Sequence, residues 1–84
     1  MSARQEVETA VGPARECIRI GAAVHRAVDR GLVVGRPVTL GVVRGIVIGY
    51  NIARRGRYPG ARYPLLVKTE LGIAKCRLDE VVPV

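Results

Sequence analysis

The sequence predicts one small, mostly β domain, in which an N-terminal α-helix precedes a small barrel of about five short antiparallel strands. Apolar residues recur at three- and four-residue spacing over residues 13–30, which is the helical period. After Gly31, short Val- and Ile-rich runs alternate with Gly, Pro and Asn turn signals. The chain has 84 residues, of which 49% are apolar, so one aliphatic core without Phe or Trp is expected. We expect a single compact domain over residues 13–84.

The helix is predicted over residues 13–30, behind a polar arm of residues 1–12. Proline suits the first helical position at Pro13, because its missing N–H would have no intrahelical partner there. Arg30 and the glycine after it supply a helix end. The alternation within residues 18–24 would also fit a strand. If the segment is helical, its apolar positions form one stripe that we expect to be buried, namely Ala14, Cys17, Ile18, Gly21, Val24 and Val28.

The barrel is predicted over residues 36–84. "KTELG" is expected to be a tight turn, "LDEV" a single helical turn, and Pro83 the edge or end of a last short strand. The four longer strands are expected at residues 38–42, 44–52, 63–69 and 72–77.

The order of these segments resembles an SH3-like barrel over residues 36–84. The resemblance is carried by "RGIVIGYN", which has the Gly-x-Val-x-Gly rhythm of a strand that bends at its glycines, and by "LDEV" before the last strand. SH3-like barrels host many functions, so the resemblance implies a fold and no particular activity. The pattern is also similar to that of the small plasmid-type dihydrofolate reductases. Where that family has Val-Gln-Ile-Tyr, this chain has Ile73-Ala74-Lys75-Cys76, without the Gln and Tyr.

The charge of the chain is unevenly distributed. Fourteen basic and seven acidic residues give a net charge of +7. Residues 1–35 carry a net charge of +1, and residues 36–84 carry +6. The positive charge of residues 36–84 indicates a polyanionic partner: nucleic acid, a phosphorylated ligand or an acidic protein. The dominance of Arg over Lys would equally fit the codon usage of a GC-rich genome.

The segment "YNIARRGRYPGARYP", residues 50–64, holds every tyrosine of the chain, four arginines and no acid. Arginine offers a planar fork for phosphate, and tyrosine offers a ring on which unpaired bases stack. In the alternative interpretation, Tyr50 and Tyr63 cover the core and the segment is only a solvated connection. Together with two cations predicted to point outward from neighbouring strands, the predicted nucleic-acid-binding residues are Arg44, Arg54, Arg55, Arg57, Tyr58, Arg62 and Lys68.

The sequence offers little for catalysis, and we expect neither an enzyme nor a cofactor or metal. The single histidine, His25, has only Asp29 as a local partner, four residues further along the helix. Cys17 and Cys76 lie too far apart for a metal motif and are expected to be buried, reduced thiols of a cytoplasmic protein. The polar N-terminus predicts no signal peptide, and no apolar run reaches the ~20 residues of a membrane span.

These observations predict a small non-enzymatic protein that binds RNA, single-stranded DNA or another polyanion, has no membrane partner and forms a homo-oligomer. A second class stays open: a homo-oligomeric interaction module that acts as an inhibitor or adaptor, or that captures a phosphorylated small ligand between subunits. In that case Gly21, Ala22 and Ala23 would let two helices approach closely.

Overall fold

The computed structural model of the protein describes residues 11–84. The predicted polar arm lies outside this range except for residues 11 and 12, which form the start of the described helix. The 3-10 turn Leu78–Glu80 precedes the last strand, as "LDEV" predicts. The elements in chain order are α1 (Val11–Asp29), β1 (Pro37–Leu40), β2 (Val43–Tyr50), β3 (Leu65–Thr69), β4 (Gly72–Cys76) and β5 (Val82–Pro83).

The five strands form one antiparallel sheet in the order β4-β3-β2-β1-β5. The mostly β class with a preceding helix is therefore confirmed. The strands β4 and β5 are the two edges, and the described sheet is open between them. None of the helices among residues 11–84 combines the length and the apolar character that a bilayer crossing needs.

The β3–β4 hairpin confirms the predicted "KTELG" turn. Thr69 pairs with Gly72 across a two-residue connection. The Thr69 hydroxyl donates to the Gly72 carbonyl oxygen at 3.0 Å and accepts from the Leu71 N–H at 3.1 Å. Gly72 has a φ of 125°, a conformation that a residue with a Cβ rarely adopts. The glycine is therefore required by the geometry of this turn.

A β-bulge in β2 decides where Tyr50 points. The register of β2 against β3 shifts between Val47 and Gly49, so Ile48 is the extra residue. An extra residue reverses the alternation of the side chains that follow it. Tyr50 consequently pairs with the buried Leu65 and packs on the core. Its hydroxyl donates to the Leu32 carbonyl oxygen at 2.9 Å. This position of Tyr50 is the one expected by the alternative interpretation of residues 50–64, in which the segment is a solvated connection.

The core is aliphatic, as the composition predicts. Leu65 and Val67 of β3 are fully buried side chains, and so is Leu32 in the connection between α1 and β1. The helix contributes Ala27 to the same core cluster of buried side chains. Its other members are Val38, Val47, Cys76 and Val81.

The prediction of which face of α1 is buried is wrong. The buried positions are Ile20, Ala23 and Ala27, whereas Ile18 is 71% exposed and Val28 is 43% exposed. Both sets of residues have three- and four-residue spacing, and they differ by a rotation of about 100° around the helix axis, the turn of one residue. Two alanines in the buried set let the backbone approach the core. Of the predicted stripe, Cys17 and Gly21 are also exposed, Val24 is half-buried, and the Ala14 side chain lies outside the described part.

Candidate nucleic-acid interface

The connection between β2 and β3, residues 51–64, is fixed in shape by Asn51. This side chain is only 5% exposed. Its Nδ2 donates to the carbonyl oxygens of Tyr58 at 2.8 Å and Tyr63 at 3.0 Å, and its Oδ1 accepts from the Ala53 N–H at 3.0 Å. One amide group therefore joins three separate points of the β2–β3 loop and holds them together.

Backbone hydrogen bonds close the same loop. The Gly60 N–H donates to Ala53 at 2.7 Å, and the Tyr63 N–H donates to Pro59 at 2.8 Å. A Cβ at Gly60 would overlap with the carbonyl oxygen of Asn51, so only glycine permits this close approach of two backbone segments. The β2–β3 loop has a defined geometry, and this geometry positions the arginines that it carries.

Tyr58 and Tyr63 form a pair on this loop. Their rings are 5.1 Å apart and meet edge to face, an arrangement that aromatic side chains favour. Tyr63 is half-buried, and Tyr58 is 45% exposed. Of the three tyrosines, Tyr58 thus offers most surface to solvent, as both interpretations of the segment expect.

Two loop arginines face the helix across a groove. Arg54 and Arg62 line an open groove of about 580 Å³ together with Arg19 and Arg26 of α1. A neighbouring cleft of about 440 Å³ shares Arg26 and Arg62 and adds two more arginines. Together the two form one continuous surface, called here the basic groove, which is lined by Arg19, Arg26, Arg30, Arg54, Arg62 and Arg77.

Two acidic residues line the basic groove, and each is paired locally. Glu16 lies 3.7 Å from the Arg19 guanidinium, and Asp79 lies 3.5 Å from that of Arg77. Within residues 11–84, no ion pair involves the four other arginines of the groove. Six arginines against two carboxylates leave the groove with a net positive charge, and a concave surface of net positive charge concentrates counter-ions and attracts a polyanion. The basic groove can therefore hold a chain of phosphates.

Sequence reasoning missed the helical half of this site. Arg19, Arg26 and Arg30 are separated by seven and four residues, which places them on one side of a helix. This spacing can be read from the sequence. Because the sequence analysis assigned the wrong face of the helix to the core, it did not predict that these arginines face the β2–β3 loop. Asn51 was missed as well, and its position at the end of a strand before a polar segment is the only signal for it.

The remaining predicted residues do not lie in the basic groove. Arg55 and Arg57 are exposed on the β2–β3 loop but do not line the groove. Arg44 and Lys68 lie together near the other end of the sheet, beside Ile46. Arg44 is six residues before Tyr50 on β2, or about 20 Å along the strand. The predicted set is therefore divided: Arg54 and Arg62 line the groove, Tyr58 lies at a separate cleft on the β4 side, and Arg44 and Lys68 lie near the other end of the sheet.

The cysteines and the histidine have separate environments. Cys76 is buried, and desolvation, with a smaller contribution from the nearby Glu80 charge, raises the pKa of its thiol to about 11. Cys17 is exposed, so the expectation that it is buried is wrong, for the same reason as the helix face. His25 lies 3.7 Å from Asp29, the predicted local pair. Residues 11–84 contain no group of three or more His, Cys, Asp or Glu that could hold a metal ion.

Comparisons with known proteins add no assignment to this geometry. No family model matches the chain, and neither the curated proteins nor the solved structures give a match.

Proposed function

We propose that the protein binds single-stranded nucleic acid, RNA or DNA, along the basic groove, and that it does so without catalysing a reaction. The observation that carries the proposal is the continuity of the groove, in which arginines of the helix and of the β2–β3 loop line one surface. A guanidinium binds a phosphate with two parallel hydrogen bonds, so a row of them fits a sugar–phosphate backbone. Arg55 and Arg57, on the same loop, would add contacts to flanking phosphates.

Tyr58 supports an unpaired strand as the ligand. Its exposed ring lies beside Ile73 and Lys75 of β4, at the edge of the sheet. A base that is free of a duplex can stack on such a ring, and each stack contributes about 1–3 kcal/mol. The ring is held by its contact with Tyr63, which reduces the conformational entropy lost on binding.

We further propose that the sheet is an SH3-like barrel of a cytoplasmic protein. Support comes from β2, which bends at a bulge within its Gly-x-Val-x-Gly segment, and from the 3-10 turn that "LDEV" forms ahead of β5. Free thiols at positions 17 and 76 support a reducing compartment.

The test measures binding to fluorescein-labelled U15 and dT15 by anisotropy between 50 and 300 mM salt. Four phosphate contacts predict a log–log slope of about −3, because each contact with a single strand contributes about −0.7. Arg26→Ser combined with Arg62→Ser should flatten the slope by about 1.4. Tyr58→Ala should weaken binding about 5- to 150-fold with an unchanged slope, since stacking releases no counter-ion.

The matched control removes the same charge elsewhere. Arg44→Ser combined with Lys68→Ser also lowers the net charge by two, but at the far end of the sheet. We expect this variant to keep the slope of the parent within about 0.3. Equal effects of the two double variants would mean that net charge alone attracts the strand, and the groove proposal would then be wrong.

A further inference from the structure

A second groove lies on the face of the sheet opposite the core. It has a volume of about 560 Å³ and is called here the sheet groove. Its lining includes three apolar side chains, two cations and one acid, namely Ile46, Pro37, Val84, Arg44, Lys68 and Glu70. The core leaves the apolar side chains open to solvent, since Ile46 is 48% exposed and Val84 is 70% exposed. A volume of this size is typical of sites that hold a small organic molecule.

The strand register places the apolar side chains of the sheet groove in one row. Ile46 pairs with Pro37 on β1 and with Lys68 on β3, and residues directly opposite each other share a face of the sheet. The Val84 N–H donates to the Pro37 carbonyl oxygen at 3.0 Å, which continues the row beyond β1. Neighbouring strands are about 4.8 Å apart, so the row from Val84 to Lys68 covers about 14 Å. The groove therefore has an apolar floor with a cation at one end.

A second cation lies at the same end of the row. Arg44 is two residues before Ile46 on β2, so it shares the face of Ile46 and lies diagonal to Lys68. Diagonal residues on neighbouring strands are about 7–8 Å apart, a distance that long side chains can span. Arg44 and Lys68 are both exposed, and no ion pair within residues 11–84 involves either of them. Their N–H groups can therefore converge on one anion.

Glu70 limits the charge of that anion. Its side chain lines the sheet groove, so two cations against one acid leave a net charge of +1. A ligand with one negative charge neutralises the groove, whereas a run of phosphates would meet Glu70 and is attracted more strongly to the basic groove. Among single anions, a carboxylate matches the guanidinium of Arg44 with two parallel hydrogen bonds. The apolar floor favours an apolar body next to that carboxylate.

We propose that the sheet groove binds a small apolar monocarboxylate. Its carboxylate is held between Arg44 and Lys68, and its hydrocarbon body lies over Ile46, Pro37 and Val84. The body covers apolar surface that is otherwise exposed to water, so each buried CH₂ group adds affinity. The site is separate from the basic groove and does not rest on the proposed function.

The test is an NMR titration of the ¹⁵N-labelled protein at pH 7 with straight-chain carboxylates. Octanoate should bind saturably, with a dissociation constant of about 1 mM or less and the largest shift changes at Arg44, Ile46 and Lys68. Affinity should rise about two- to fourfold for each CH₂ group from hexanoate to octanoate. It should stop rising for chains longer than the row of about 14 Å. Octanamide, which lacks the charge, should bind at least about tenfold more weakly than octanoate.

Two double variants test the charged end of the sheet groove. Arg44→Ser combined with Lys68→Ser should weaken octanoate binding at least about tenfold. Arg26→Ser combined with Arg62→Ser removes the same charge from the basic groove and should leave octanoate binding unchanged. All four side chains are exposed, so both variants should keep the circular dichroism of the parent.

A matched pair of single variants tests the apolar floor. Ile46→Thr keeps a branched side chain on β2 but removes apolar surface, and it should weaken octanoate binding about two- to fourfold. Val42→Thr makes a similar change at a valine that is 98% exposed between β1 and β2, and it should have no effect.

Four results would overturn the proposal. The first is a lack of saturable binding up to about 10 mM octanoate. The second is equal binding of octanoate and octanamide, because the cations would then hold nothing. The third is an equal loss in the two double variants, which would mean that net charge alone attracts the ligand. The fourth is a shift change at Ile46 that follows protein concentration without ligand, because a second copy of the chain would then cover the groove.

Discussion

Replacing Asn51 by Ala should destabilise the protein and weaken nucleic-acid binding without changing its charge. The substitution removes three side-chain hydrogen bonds at 2.8, 3.0 and 3.0 Å from a residue that is 5% exposed. Each such bond contributes about 0.5–1.5 kcal/mol net, so we expect the free energy of unfolding to fall by about 2–4 kcal/mol. Because the same bonds hold the β2–β3 loop in shape, Arg54 and Arg62 should no longer face the helix together.

Urea denaturation and anisotropy measure the two effects of Asn51→Ala. Thr69→Ala is the matched control, since its hydroxyl also makes two hydrogen bonds, but at an exposed turn away from the loop. We expect it to cost less than about 1 kcal/mol and to leave binding unchanged. Gly60→Ala should act like Asn51→Ala, because its new Cβ would overlap with the Asn51 carbonyl oxygen. If Asn51→Ala unfolds within about 0.5 kcal/mol of the parent and binds equally well, the loop is not organised by this side chain.

The cysteines supply the remaining predictions. Cys17 should react rapidly with a thiol reagent in the native protein and Cys76 only on unfolding, so a Cys17→Ser protein that still labels rapidly would contradict the structure. The folded-state pKa of Cys76 is raised from 9.0 to about 11, so its contribution to stability is complete below pH 9 and is lost as the pH rises to 11. Two pKa units correspond to a loss of at most about 2.7 kcal/mol in the free energy of unfolding. The Cys76→Ala variant should lack this loss as the pH rises from 9 to 11. An unchanged loss in that variant would assign it to other groups.

The strands were predictable because their signals are local. A two-residue turn with a glycine at its end fixes the β3–β4 register, and the inward-facing Cys76 then follows from alternation along β4. The bulge at Ile48 leaves no such signal. The inward position of Tyr50 was expected only in the alternative interpretation of residues 50–64, from its place at a strand end. Its hydrogen bond to Leu32 is a structural detail beyond that interpretation.

The helix face and the groove were not predictable from local pattern. Two sets of apolar residues with the same period could face the core, and the buried set depends on how closely the helix backbone can approach the sheet. The set that contains the small residues Ala23 and Ala27 is buried, although the other set offers larger side chains at Ile18 and Val28. The rotation of the helix in turn decides where Arg26 points, so the basic groove follows from tertiary packing.

The most direct test of the basic groove is a ¹⁵N NMR titration of the protein with U15, read at the backbone amides and at the arginine Nε–H groups. We predict the largest shift changes at Arg26, Arg30, Arg54 and Arg62, with smaller changes at Tyr58 and none above the average at Arg44 or Lys68. The shift changes at the helical arginines are the critical result, because these residues lie beside the β2–β3 loop only in the folded groove. Changes confined to residues 54–58, or centred on Arg44 and Lys68, would contradict the account.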